Sequence, residues 1–100
     1  MSFKDEWDAS RRLFILRLLV EVGGEANESN IFRAVQRGGF AQASRDTVRD
    51  DLDRLKKARC TTESWLNESV CVVKLTERGE DAAYGRVEVP GVETSPRWVR

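Results

Sequence analysis

Asp46, Asp50 and Asp53 follow one another at three- and four-residue intervals, the spacing that brings carboxylates to one face of a helix. Such a triad has the chemistry to hold a divalent cation, but no further oxygen ligand or substrate cleft is legible around it, so no metal site is expected. Cys60 and Cys71 are the two cysteines of the chain, and there is no histidine. A structural zinc site needs four Cys or His ligands, and a Ser-His or Cys-His nucleophilic pair needs an imidazole. General base catalysis would fall to a carboxylate or lysine with a displaced pKa. An enzyme is therefore not expected, and neither is a cofactor.

The second group of candidates is basic. Arg45, Arg49, Arg54 and Lys56 alternate with the carboxylates between Ser44 and Arg59, where six basic residues against four acidic ones leave a charge of only plus two. Placing Val48 at zero, about 100° per residue sets Asp46, Asp50 and Asp53 near the opposite side, with the basic residues flanking them. Ser44, Arg45, Thr47, Arg49, Asp50, Arg54 and Lys56 are the candidates for contact with double-stranded DNA, the cations meeting phosphates and base edges and a carboxylate accepting from cytosine N4. The alternative for the same residues is a solvated lattice of i, i+4 pairs, Arg49 with Asp53, Asp50 with Arg54 and Asp53 with Lys57.

These residues need a frame. A chain of 100 residues, 40% hydrophobic and 34% charged, has room for one modest core. The spacing predicts a first helix from Asp5 to Val22, capped by Asp5 and stopped at Gly23-Gly24. Between Leu13 and Val22 it is apolar nearly all round, with a polar wedge at Arg17 and Glu21, so it is either a central core helix or one shared with a second subunit. Phe14, Leu18 and the distant Trp98 are the candidate dimer contacts, and a homodimer is expected. A second helix is predicted from Glu28 to Arg37, capped by Asn27 or Ser29, and a third from its N-cap Ser44 to Arg59, with Val48, Leu52 and Leu55 facing inward.

After Arg59 the period changes to two. Arg59–Trp65 and Ser69–Leu75 read as strands of a hairpin turning at Leu66-Asn67-Glu68. A turn centred between Asn67 and Glu68 sets Cys71 opposite Ser64 and Cys60 opposite Leu75, too far apart for a disulfide. Trp65, Asn67 and Lys74 are the candidate contacts of this hairpin. Trp65 is suited to covering the hairpin face, to stacking on a base or sugar, or to entering a pocket on a protein partner. Thr76 caps a last short helix to about Tyr84. The expected fold is mainly α with a small β-hairpin, in the order α-α-α-β-β-α, over residues 1–85. Residues 86–100, which include both prolines, form an extended C-terminal tail.

That order is the order of a winged helix-turn-helix. The stretch Ser44-Arg45-Asp46-Thr47-Val48-Arg49-Asp50-Asp51-Leu52-Asp53-Arg54-Leu55 resembles the recognition-helix signature of DeoR-type repressors, S-x-x-T-[IV]-R-R-D-L-x-x-L. Asp50 stands where that pattern has a second arginine. Lys74-Leu75-Thr76-Glu77-Arg78-Gly79 resembles the L-T-x-x-G that follows the wing in bacterial winged-helix regulators. From Arg11 to Val92, including Gly85-Arg86-Val87-Glu88-Val89-Pro90-Gly91-Val92, the chain is similar to small winged-helix proteins of Mu-like transposable phages and prophages. The resemblance implies a phage origin and a winged-helix fold.

Two functions follow as expectations. One is a sequence-specific DNA-binding regulator with the helix 44–59 in the major groove. The other is a winged-helix module that binds a protein within a phage nucleoprotein or packaging assembly, which a net charge of zero and the acidic outward face favour. With no basic-then-apolar leader and no long apolar run, the expected location is the host cytoplasm, away from membranes.

Overall fold

Ser2 opens the first helix, its Oγ accepting the backbone N–H of Asp5 at 3.2 Å. In the computed structural model, which describes residues 2–94, α1 therefore runs Phe3–Glu21. The start lies ahead of the expected Asp5 because the serine hydroxyl caps the free N–H groups from three residues upstream. Gly23 (φ 94°) and Gly24 (φ 102°) take left-handed backbone that a side chain would resist, and they turn the chain out of the helix. The Gly24 carbonyl then accepts the Leu75 N–H at 2.7 Å, which starts a strand the sequence did not suggest, β1 at Glu25–Asn27.

Asn27 caps α2 (Glu28–Arg37) through a 2.8 Å bond from the Asn30 N–H, and Ser44 caps α3 (Arg45–Lys57) by accepting the Thr47 N–H at 3.1 Å. Arg59 is left-handed (φ 65°), so α3 ends before it. β2 (Thr61–Leu66) and β3 (Val70–Leu75) form the hairpin, turning through left-handed Asn67 and Glu68. The register is displaced by one from the expected pairing. Cys71 lies opposite Trp65 and Thr61 opposite Leu75, because Leu66 pairs with Val70 across a three-residue connection. Both cysteines are buried and free. Thr76 accepts the Gly79 N–H and donates to the Arg59 carbonyl, joining α4 (Glu77–Ala83) to the end of α3 with one hydroxyl.

The described residues form an α+β domain, with four helices and an antiparallel sheet in the order β1-β3-β2. Ile15, Leu16 and Leu19 of α1 meet Ile31 and Val35, Val48, Leu52 and Leu55, and Val73 in one buried cluster, which Ala82 and Ala83 close. α1 is thus the central core helix. Residues 86–94 do not hang free. Val89 is buried, Val87 and Val92 pack on the core, and the Glu93 N–H reaches the Ala9 carbonyl at 3.1 Å. Pro96 and Trp98 lie outside the described residues.

Candidate interaction surface

The two flanks of α3 are tied down by two different ion clusters. Toward the sheet, the Arg49 guanidinium is shared among carboxylates of three elements. Nη1 donates to Glu28 of α2 at 2.6 Å, and Nη2 donates to Asp53 at 2.9 Å and to Glu63 of β2. Nη1 also lies 3.8 Å from Cys71 Sγ. Burial opposes the charge on Arg49, yet the bonds to Glu63 and Cys71 and the fields of Glu28 and Glu63 outweigh it and raise the pKa. Burial pushes the Cys71 thiol up even against the Arg49 contact. Lys56 adds a weaker contact to Glu63 at 3.7 Å.

Toward α1, Asp51 is fully buried and receives Arg11 Nε at 2.5 Å, Arg11 Nη2 at 2.9 Å and Arg12 Nε at 3.0 Å. Arg11 also holds Asp8 at 2.9 Å, and Arg12 holds the Gly91 carbonyl at 3.0 Å. This cluster was missed from sequence. Its signal was there: Asp51 is about 60° from Val48 on the helical wheel, inside the core sector, and Arg11-Arg12 precede the apolar run of α1.

The expected contacts of α3 are therefore divided. Arg49 is a clamp between α2, α3 and β2 rather than a free cation, and of the expected lattice pairs the one with Asp53 forms. Ser44 and Thr47 spend their hydroxyls on the helix cap, 3.0 Å apart. Arg45 is exposed and lies over the Phe32 ring at 4.6 Å. Asp46, Asp50 and Arg54 are exposed, and none of them makes an ion pair among the described residues. Arg45 and Trp65 share a groove of about 280 Å³ with Ser29 and Val70, whereas Asp50 and Arg54 line another between α1 and α3.

In the hairpin, Trp65 is 56% exposed and lies across from Cys71 at the edge of the core. With Leu66 at 56% and Val70 at 40% it leaves an apolar tip in solvent. Asn67 supplies the left-handed turn, and Lys74 is exposed in mid-sheet between Glu25 and Thr62. Glu63 lies inside, against Arg49. Of the expected dimer contacts, Phe14 is half-buried with its ring edge against Phe40 at 5.6 Å, and Leu18 packs on the core. Trp98 lies outside the described residues. The apolar side chains that α1 does leave open are Phe3 and Trp7 at one end and Val22 at the other.

Among the described residues, no group of three or more His, Cys, Asp or Glu is placed to hold a metal ion, and no helix is long and apolar enough to cross a membrane. No family model and no solved structure matches the chain. Two curated proteins do. The uncharacterized protein gp26 of Escherichia phage Mu is 42% identical over 83 residues, which is 83% of this chain and 84% of that protein. An uncharacterized protein of Haemophilus influenzae is 37% identical over 78 residues, 78% of this chain and 76% of its own length. Identity of that level across most of both chains shows common descent, and the chain belongs to the family of phage Mu gp26, with a Mu-like phage origin.

Proposed function

We propose that this chain is a winged-helix module without catalytic activity that docks on a protein partner in a phage nucleoprotein or packaging assembly, in the host cytoplasm. The winged-helix assignment draws support from the helix pair α2–α3, the β2–β3 hairpin beside it, and a sheet in which β1 pairs with β3. The observation that carries the docking reading is the state of Arg49. The central cation of the helix that would enter a major groove is consumed by Glu28, Asp53 and Glu63. Asp46 and Asp50 are exposed with no ion pair among the described residues, and a phosphate backbone repels them. The exposed Trp65, Leu66 and Val70 suit the apolar centre of a protein interface.

A second reading, a homodimeric DNA-binding regulator, is favoured by one feature. Arg33, Arg37 and Arg45 are exposed around the α2–α3 corner, and none is in an ion pair among the described residues. Selection of bound fragments from total phage and host DNA separates the two. It is followed by titration of the best fragment against random duplex between about 50 and 200 mM salt, where phosphate contacts weaken steeply. The docking reading expects no enriched motif and only weak binding that salt abolishes. A recovered motif whose binding Arg45→Ala destroys would replace it with the regulator.

A further inference from the structure

On the flank of α3 away from the hairpin, a groove of about 330 Å³ opens between the end of α3, residues 90–92 and the start of α4. Its lining carries Arg54, Lys57 and Arg78 beside the buried Arg12, and no carboxylate. Its floor is apolar, made chiefly by Leu55, Pro90 and Val92. Two of the cations are held in place: Arg78 Nε donates to the Ala58 carbonyl at 2.9 Å, and Arg12 bridges Asp51 and Gly91. Arg54 and Lys57 are exposed and make no ion pair among the described residues. Cations in the last turn of a helix offset its negative end, as Arg54 and Lys57 do, and the Arg78 bond to Ala58 brings a third charge there. Among the described residues none of these three has a carboxylate partner.

We propose that this groove is a docking site for an acidic peptide segment of a partner protein, which seats an apolar side chain on the floor and sets its carboxylates against Arg54 and Lys57. The inference goes beyond the docking reading above, since it concerns the opposite flank of α3. Charge complementarity identifies the occupant. Arg54, Lys57 and Arg78 make no ion pair among the described residues, and an acidic segment supplies the missing carboxylates. The volume is at the small end of ligand sites, matched to an anchoring side chain rather than a domain. An apolar floor gives a hydrated phosphate backbone nothing to gain. The adjoining groove at the start of α1 shares Arg12 and Arg54 but adds Asp5, Glu6, Asp8 and Glu93, which confines the acidic part of the ligand to the α3 end, at Lys57 and Arg78.

The test probes an array of random short peptides with the full chain, then titrates the best peptide by fluorescence anisotropy. Peptides combining Asp or Glu with a large apolar residue should be enriched over basic ones. Reversing the charge of the exposed pair, Arg54→Glu with Lys57→Glu, should weaken the best peptide about tenfold or more, the scale of one lost charge-assisted contact. Trp65→Ala should leave that affinity unchanged, so this site and the hairpin surface stand or fall separately. No acidic enrichment, or binding indifferent to the charge reversal, would overturn the proposal. So would displacement of the peptide by a DNA duplex that itself binds more tightly, or by a second copy of the chain.

Discussion

Asp51 and Arg11, forty positions apart, meet through two hydrogen bonds of 2.5 and 2.9 Å, with Asp51 wholly removed from solvent. Because Arg12 joins them and also holds Gly91, this cluster ties α3, α1 and residues 86–94 into one body. Asp51 matches the aspartate of the DeoR-like signature, and its role here is internal.

Removing that carboxylate leaves the buried Arg12 without a counterion and Arg11 with Asp8 alone. Asp51→Ala should cost about 3–5 kcal/mol, the range for breaking a buried pair from one side. Exchanging all three charges, Arg11→Met, Arg12→Met and Asp51→Leu, should restore most of the stability. Urea unfolding midpoints give both numbers, and a loss below about 1 kcal/mol for Asp51→Ala would show that the arginines find water instead.

Arg49→Ala leaves Glu28, Asp53 and Glu63 facing one another without a counterion. Stability should drop by about 2 kcal/mol at neutral pH, in line with hydrogen bonds to charged groups. The deficit should shrink in high salt, which screens the repulsion among the three carboxylates. A deficit that does not change with ionic strength would mean that the lost contacts are packing and not charge.

Burial acts to raise the Asp8 carboxyl, but bonds from Lys4 and Arg11 outweigh it and hold the pKa below the ordinary value. A depressed folded pKa stabilises above the unfolded value, and that contribution disappears as the pH drops through the folded one. The stability gap between the natural chain and Asp8→Asn should thus be full at pH 6 and close below about pH 4. Chemical denaturation at a series of pH values follows it, and a gap independent of pH would rule the charge out as its source.

Gly79 packs directly under the end of α3. A Cβ there would sit 2.1 Å from the Cys60 carbonyl oxygen and 2.7 Å from Leu75 Cδ1. The oxygen is backbone and is tied to the Thr76 N–H at 3.0 Å, so it cannot yield cheaply. Gly79→Ala should destabilise by about 1–3 kcal/mol, as overpacking does, although alanine is the better helix former. A melting temperature equal to the natural chain's would show that α4 can slide.

What the sequence determined by itself is local. Ser44, Asn27 and Thr76 announce their helices because a cap needs only a hydroxyl or amide three residues from a free N–H. The inward rows Val48-Leu52-Leu55 and Cys71-Val73 follow from periods of 3.6 and 2, which belong to the backbone. β1 was invisible because Glu25-Ala26-Asn27 has no strand preference of its own, and it is a strand only where β3 offers it partners. The hairpin register differs by one residue because the connection centres on Glu68 and not between Asn67 and Glu68, a difference that the turn residues alone do not specify. The site followed the same division. Nothing in the spacing of Arg49, Glu28 and Glu63 says that they meet, and Asp51 with Arg11 looks like ordinary surface charge until the helices cross. Whether a charged side chain is offered to a partner or consumed inside the fold depends on which other elements reach it, and only the packing of those elements decides that.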